Sequence, residues 1–366
     1  MTTTAPATTT TTDNAAPGWL VNIFRVNLVV QVGIVVTGGL VRLTGSGLGC
    51  PTWPECVDGS LVPTNKQEEA WHKYVEFGNR LLTFLLAIAA LAAIVGVLVW
   101  WRRQKSAALP ARPPVMWLAA VPIVGTVAQA VLGGITVLTG LHPLIVAAHF
   151  LLSIAIIAGC VLLVDRAQDP ADRPTLPIVR RELLWLGNAL VATALAVIVL
   201  GTIVTGAGPN SGDADVTHRL GIDQRVAAWV HADVVYLFIG LMIAMLVALR
   251  LVDGPTLAWR RMWLLVAAAL LNGVVGYAQL FTGLPWAFVA THMLLACPHL
   301  GGGHQGAPGA TNPRRDGPGS RRSALSRVGS AQERIDTDGE EQQRQVSDRA
   351  MEQPHGVQSR GPDPAL

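Results

Sequence analysis

A chain of 366 residues that is 51% hydrophobic, only 14% charged and carries a formal net charge of +3 is not composed like a soluble domain, in which about a quarter of residues are charged. The composition excludes that class and describes a polytopic membrane protein with the lipid bilayer as solvent. No nucleic-acid partner is expected.

In chain order, residues 1–17 are rich in Thr and Ala, with neither a basic start nor an apolar core. This tail, placed at 1–20, is expected to be disordered and not a cleaved signal. A bilayer crossing needs roughly 20 apolar residues. Runs of that kind mark spans near 21–41, 76–101, 116–138, 143–164, 183–205, 226–249 and 262–282, and an eighth begins near Leu284. Basic residues gather at Arg102-Arg103-Gln104-Lys105, from Arg166 to Arg181 and from Arg250 to Arg261. The positive-inside rule puts those segments in the cytoplasm. Segments 42–75, 139–142 and 206–225 then face outward, and both ends of an eight-span chain lie inside.

Apolar sequence stops at Cys297. Only about a dozen membrane-compatible residues follow Pro285, fewer than a span needs. Residues 298–366 are rich in Gly, Arg, Gln, Asp and Pro and contain no Phe, Trp or Tyr, too little apolar content to fold alone. The expectation is a truncated last helix and a disordered tail read from an altered frame. A natural disordered tail is the alternative, and it leaves the short helix unexplained.

The chain repeats itself. Thr139-Gly140-Leu141 leads to His149, and Thr282-Gly283-Leu284 leads to His292; residues 139–152 and 282–295 agree at eight of fourteen positions with a constant offset of 143. Val36-Thr37-Gly38 returns as Val204-Thr205-Gly206. The expected fold is all-α, with two pseudo-symmetric four-helix bundles at 21–166 and 183–297 joined by a cytoplasmic linker at 167–182. Facing helices of such bundles converge on buried cofactors. Glycines at 38, 39, 133, 134, 273 and 276 allow close helix approach or a macrocycle against backbone.

His149, His231 and His292 each fall early in a span that runs from outside to inside, at one common depth. Imidazole is costly in lipid without a partner. A single one could be hydrogen bonded between helices, but three in a duplicated frame suit haem iron, which paired imidazoles hold. Symmetry calls for a fourth in the second span, where Glu76-Phe77-Gly78-Asn79-Arg80 offers asparagine instead. Cys50 and Cys56 lie in the first outward loop, an oxidising side where a disulfide is permitted. Cys160 and Cys297 sit in apolar segments, where thiols pack. Arg42, Arg80, Arg219 and Arg225 lie at outward ends, against the positive-inside rule. They suit either carboxylates such as haem propionates, or headgroups and the nearby acids Glu55, Asp58, Asp213, Asp215 and Asp223. His218 reads as a surface or propionate neighbour, and His142, before Pro143, as structural.

The run from Gly38-Gly39-Leu40-Val41-Arg42-Leu43-Thr44-Gly45-Ser46-Gly47-Leu48-Gly49-Cys50 through Pro51-Thr52-Trp53-Pro54-Glu55-Cys56, then Glu76 with Arg80, then the three histidines, resembles haem A synthase over about residues 20–297. The resemblance implies an eight-helix enzyme of the cell membrane that oxidises a methyl group of haem O to a formyl group, giving haem A for cytochrome oxidase. It implies His231 and His292 as axial ligands of a bound haem b in the second half. Glu76 and His149 belong on the same grounds to the substrate-haem site of the first half, with Asn79, Arg80 and Arg42 around it. Its implied partners are a haem O synthase and an electron donor such as a ferredoxin, and the chain could form a homo-oligomer.

Asn79 departs from the family pattern, which places a histidine there in many members. Substrate haem would rest on His149 alone with one axial face open, and Glu76, one turn before Asn79, would handle protons. The plainer role for Glu76 is to complement the helix start. The Cys50–Cys56 pair reads equally as a loop staple and as a redox-active or haem-transfer device. Two other readings stand beside the synthase: a di-haem b-type electron-transfer cytochrome, which would want both axial ligands in each half, and an inactive truncated copy. A transporter would need half-helix breaks and midplane charges, which are absent from the sequence.

Overall fold

The computed structural model describes residues 15–65, 67–107, 112–168, 181–210, 212–213, 218–252 and 256–296. Eight helices occupy them: α1 (Gly18–Leu43), α2 (His72–Ser106), α3 (Pro113–Leu138), α4 (Pro143–Gln168), α5 (Arg181–Ala207), α6 (Gln224–Leu251), α7 (Thr256–Phe281) and α8 (Trp286–Ala296). The first seven are long and apolar enough to cross a membrane, and each covers the span expected from its apolar run. The 11 residues of α8 rise only about 16 Å at 1.5 Å per residue. Residues 1–14 of the expected N-terminal tail, most of the linker and everything after Ala296 lie outside the described residues; the last three residues assigned to that tail, 18–20, belong to α1.

Local chemistry sets the helix ends. Proline opens α3 and α4, where its missing N–H costs nothing because the first helical N–H groups lack partners anyway. Asp223 caps α6, its side chain accepting from the Val226 N–H. The repeated Thr-Gly-Leu ends α3 and α7 in the same way. Gly140 and Leu141 have φ of +59° in both cases, and Gly283 and Leu284 have +80° and +61°. The N–H of Leu141 donates to Thr136 O and that of Leu284 to Gln279 O, a six-to-one closure of the helix end. The sequence repeat is therefore a repeat of backbone conformation. In the first copy it seats buried Leu141 against Gly47 and Gly212.

The first four helices close into a ring: α1 packs on α2 and α4, α2 on α3, and α3 on α4. Its end opposite the disulfide loop is filled by an apolar cluster from all four helices, including Leu20, Phe24, Val97, Trp100, Val115 and Leu163. In the second half α5 packs on α6, α6 on α7 and α7 on α8, while α8 packs on α1 of the first half and makes no comparable contact with α5 among the described residues. The second apolar cluster draws on α5, α6 and α7, with Leu183, Phe238, Met242, Met245, Leu249 and Val266 among its members. No described residue of α8 is buried. The expected pair of like bundles is thus one closed ring and one open one.

Candidate functional site

A cavity of about 820 Å³ lies among the four helices of the first ring and against α5 and α8 of the second half. Glu76 and Asn79 of α2 border it from one side and Gln129, Gly133 and His149 of α3 and α4 from the other. Its wall is completed from the second half by Gly201 and Thr202 of α5 and by Val289 and Met293 of α8.

Each histidine lies against a glycine on the helix before it. A Cβ at Gly133 would stand 3.2 Å from Cε1 of His149, one at Gly276 would stand 3.1 Å from Cε1 of His292, and one at Gly201 would stand 3.4 Å from Cε1 of His231. Asn79 takes the corresponding place in α2, with its Nδ2 3.8 Å from where a Cβ of Gly38 would be. The four positions singled out by symmetry therefore share one local design, a flat polar side chain beside a missing one. On sequence alone Gly38, Gly133 and Gly276 allow close helix approach or a macrocycle against backbone, and Gly201 is not singled out; Gly133, Gly201 and Gly276 make room for imidazoles.

The polar contacts differ from site to site. Nδ1 of His292 lies 3.1 Å from the carbonyl oxygen of Asn272. A carbonyl on one ring nitrogen fixes the tautomer and leaves the other nitrogen for a metal. Nδ1 of His149 is buried with no protein partner, while the His149 carbonyl accepts from Nε2 of Gln129 at 3.0 Å. The Thr37 hydroxyl donates to Oδ1 of Asn79 at 2.7 Å. That bond pins the amide and turns its NH₂ group away from Thr37; an NH₂ donor does not ligate iron.

Glu76 is buried at the cavity wall. Its Oε2 accepts from the Cys50 N–H at 2.6 Å, and its Oε1 pairs with Nη2 of Arg80 at 2.6 Å. The Arg80 guanidinium then spends all its donors locally. Nε and Nη2 reach Glu76, Nη1 reaches the carbonyls of Thr52 and Glu55, and Nη2 also reaches that of Cys50. An arginine has five N–H groups, and five contacts are present. The side chain expected at the rim for propionates is the clamp that fixes the disulfide loop over the carboxylate.

Cys50 and Cys56 form a disulfide with an S–S distance of 2.06 Å, and both are fully buried. The loop they close drops Trp53 into a notch at Gly134, where a Cβ would come within 2.5 Å of the indole. Trp53 thus roofs the cavity. Nε of Arg42 donates to Asn210 O at 2.8 Å and its Nη2 to Thr205 O at 3.4 Å. The Gly47 N–H donates to Gly212 O at 2.8 Å. Arg42 therefore borders the cavity and also fastens α1 to the outer end of α5. His142 and His218 stand at the same rim, exposed, with ring centroids 6.5 Å apart. Cys160 is buried, its thiol 3.7 Å from Oδ1 of Asn27, in a packing role as expected.

Sequence reasoning missed Trp53, Met293 and the polar cavity residues Gln31, Thr126, Gln129 and Ser153. Glutamines inside apolar runs were the available signal, since amides in membrane helices need partners. Nothing in the sequence marks Trp53 or Met293, whose roles arise from contact across elements.

The family model described as "Cytochrome oxidase assembly protein", COX15-CtaA, matches residues 22–301. The chain is 33% identical to a protein named heme A synthase from Lysinibacillus sphaericus (strain C3-41) over 189 residues, 50% of this chain and 56% of that one. It is 33% identical to the heme A synthase of Shouchella clausii (strain KSM-K16) over 158 residues, 40% and 46% of the two chains. The match to the heme A synthase of Bacillus cereus (strain 03BB102) is 25% over 294 residues, 75% of this chain and 87% of the relative. At the higher identities the chain spans about half the length of the relatives it matches. With the family match running through all eight helices, the chain belongs to the COX15-CtaA family of cytochrome oxidase assembly proteins.

Proposed function

We propose that the chain is a haem A synthase, oxidising a methyl group of haem O to the formyl group of haem A. The observation that carries this reading is the cavity where His149, Glu76 and Asn79 meet inside the closed ring, in a chain of this family. The roles are divided between the halves. The half at 21–166 takes the substrate: His149 offers one imidazole to its iron, and Asn79, an amide pinned by Thr37, leaves the opposite face open.

Taking a methyl group to a formyl group adds one oxygen atom and, with water as the oxygen source, releases four protons and four electrons, so an external oxidant must take up the electrons; Glu76 is the base at the wall that accepts protons. Its carboxylate is held between Arg80 and the Cys50 N–H, so its place is set before substrate enters. Preorganisation of this kind keeps reorganisation out of the reaction. Trp53 excludes water from above, and Arg42 and its neighbours favour the acidic edge of the macrocycle at the outer rim.

The half at 183–297 holds haem b between His231 and His292. The residues fit such a group: the rings lie in the cradles of Gly201 and Gly276, and the Asn272 carbonyl orients His292. When bound, haem b supplies one-electron transfer. The remaining partners on this reading are a haem O synthase delivering substrate and an electron donor such as a ferredoxin. The chain sits in the plasma membrane with its N-terminus in the cytoplasm and the cysteine loop outside.

A di-haem cytochrome would want an imidazole at Asn79, so the synthase is the better reading. The test is chromatographic identification of haems from membranes of cells expressing the chain with a source of haem O. Haem A, or its hydroxylated precursor, is the expected product; haem b alone would overturn the reading.

A further inference from the structure

The inner end of the cavity is polar in a way that the proposed chemistry does not use. Gln31 and Thr126 are each 5% exposed, with Nε2 of Gln31 3.5 Å from the Thr126 hydroxyl. Nε2 of Gln129 donates to the His149 carbonyl at 3.0 Å and to the Ser153 hydroxyl at 2.5 Å. Oε1 of Gln129 is buried with no partner, although Gln129 borders the cavity. Leaving a buried acceptor unpaired is costly, and a donor brought by a ligand recovers that cost. A hydroxyl or an N–H is the kind of group that would satisfy this acceptor.

Its place says which one. Gln129 stands four residues from Gly133, the cradle of His149, on the side away from the disulfide loop; that is about 6 Å along α3. A haem bound through His149 with its propionates at the loop rim turns its opposite edge toward Gln129. On haem O that edge carries the hydroxylated isoprenoid substituent, where haem B has a vinyl group. The second half makes the contrast. At the constant offset of 143, Gln129, Thr126 and Ser153 correspond to Asn272, Ala269 and Ala296. The glutamine becomes an amide one methylene shorter, whose Oδ1 is likewise buried without a partner, so the contrast lies in the two hydroxyls, which are both lost in the half assigned to haem b.

We infer that Gln129 is the specificity-determining residue that recognises the hydroxyl of haem O, with Ser153 orienting its amide through Nε2. The inference rests on the reading that haem O enters the first-half cavity. A site built to bond a hydroxyl discriminates strongly against an analogue lacking it, so the residue separates haem O from haem B before any oxidation occurs.

The experiment titrates haem O and haem B into the full chain, purified with its resident haem, and follows the absorption change of the added haem. Wild type is expected to bind haem O at least about ten-fold more tightly than haem B. Gln129→Leu is expected to erase that preference by weakening haem O alone. Ser153→Ala, which leaves Oε1 in place, is expected to reduce the preference by less. Equal weakening of both haems by Gln129→Leu would assign the amide to support of the His149 backbone and overturn the inference, as would an unchanged preference. His149→Ala separates the two claims: if haem O binds that variant as it binds wild type, the assignment of the cavity fails, whatever Gln129 does.

Discussion

The two halves share a histidine-and-glycine design and differ in enclosure. The first is a closed ring of α1 to α4 with a roofed cavity, and the second is an open arrangement in which α8 leans on α1 of its neighbour. A half that must admit a substrate, position a carboxylate and release a product needs a cavity with a built roof. A half that holds a permanent group needs two imidazoles and space for a ring. The sequence repeat does not extend to Cys50, Cys56, Glu76 or Arg80, and Thr126 and Ser153 give way to Ala269 and Ala296 in the second half.

The largest expected effect separates the halves outright. His149→Ala should abolish haem O binding while leaving the spectrum of the resident haem unchanged, and His231→Ala should do the reverse; difference spectra of the two purified variants read both. If either change removed both signals, the halves would not be independent sites.

Asn79→His sharpens the comparison by making the first half resemble the second. A second imidazole should tighten haem O binding by about ten-fold or more and convert its spectrum to that of bis-histidine ligation, measured by titration and electron paramagnetic resonance. An unchanged spectrum would mean that position 79 does not face the iron.

Enclosure itself can be broken at the roof. In Gly134→Ala the new Cβ would meet the Trp53 indole at 2.5 Å, and forced repacking of this kind costs about 1–3 kcal/mol. The expected result is a lower midpoint in thermal unfolding and faster exchange of bound haem O, with haem b retention unaffected. Removing the staple by Cys50→Ser with Cys56→Ser should cost about 2 kcal/mol on the loop-entropy account. That variant should also lose activity, because the loop released from its cross-link no longer fixes the backbone N–H of residue 50 that holds Glu76.

A loss of stability of similar size is expected at the seam. Arg42→Met removes the bonds to Thr205 and Asn210 and should cost about 1–3 kcal/mol, seen as increased proteolysis at the outer loops.

Much of this was legible in the residues. Apolar runs mark helices because lipid leaves no other way to satisfy the backbone, and the histidines declare themselves by their cost in that medium. The repeat of Thr-Gly-Leu marks the duplication in the sequence; that it is also a repeated turn at positive φ is visible only in the structure. Closure was not legible: whether α8 meets α5 or α1 depends on packing between distant segments. At Arg80 charge alone leaves propionates and local pairing equally open; the guanidinium borders the cavity and is bound by Glu76 and by carbonyls of its own loop. The Trp53 notch required both partners to be seen at once, since a tryptophan in a loop and a glycine in a helix mean little separately.

The central claim is that the first half does the chemistry while the second holds the cofactor, and Glu76→Gln tests it most directly. The purified variant and wild type would be compared for resident haem b content and for conversion of added haem O, both read by haem extraction and chromatography. The account predicts full haem b content with no haem A and no hydroxylated precursor in the variant. Conversion at the wild-type rate, or loss of haem b together with activity, would contradict it.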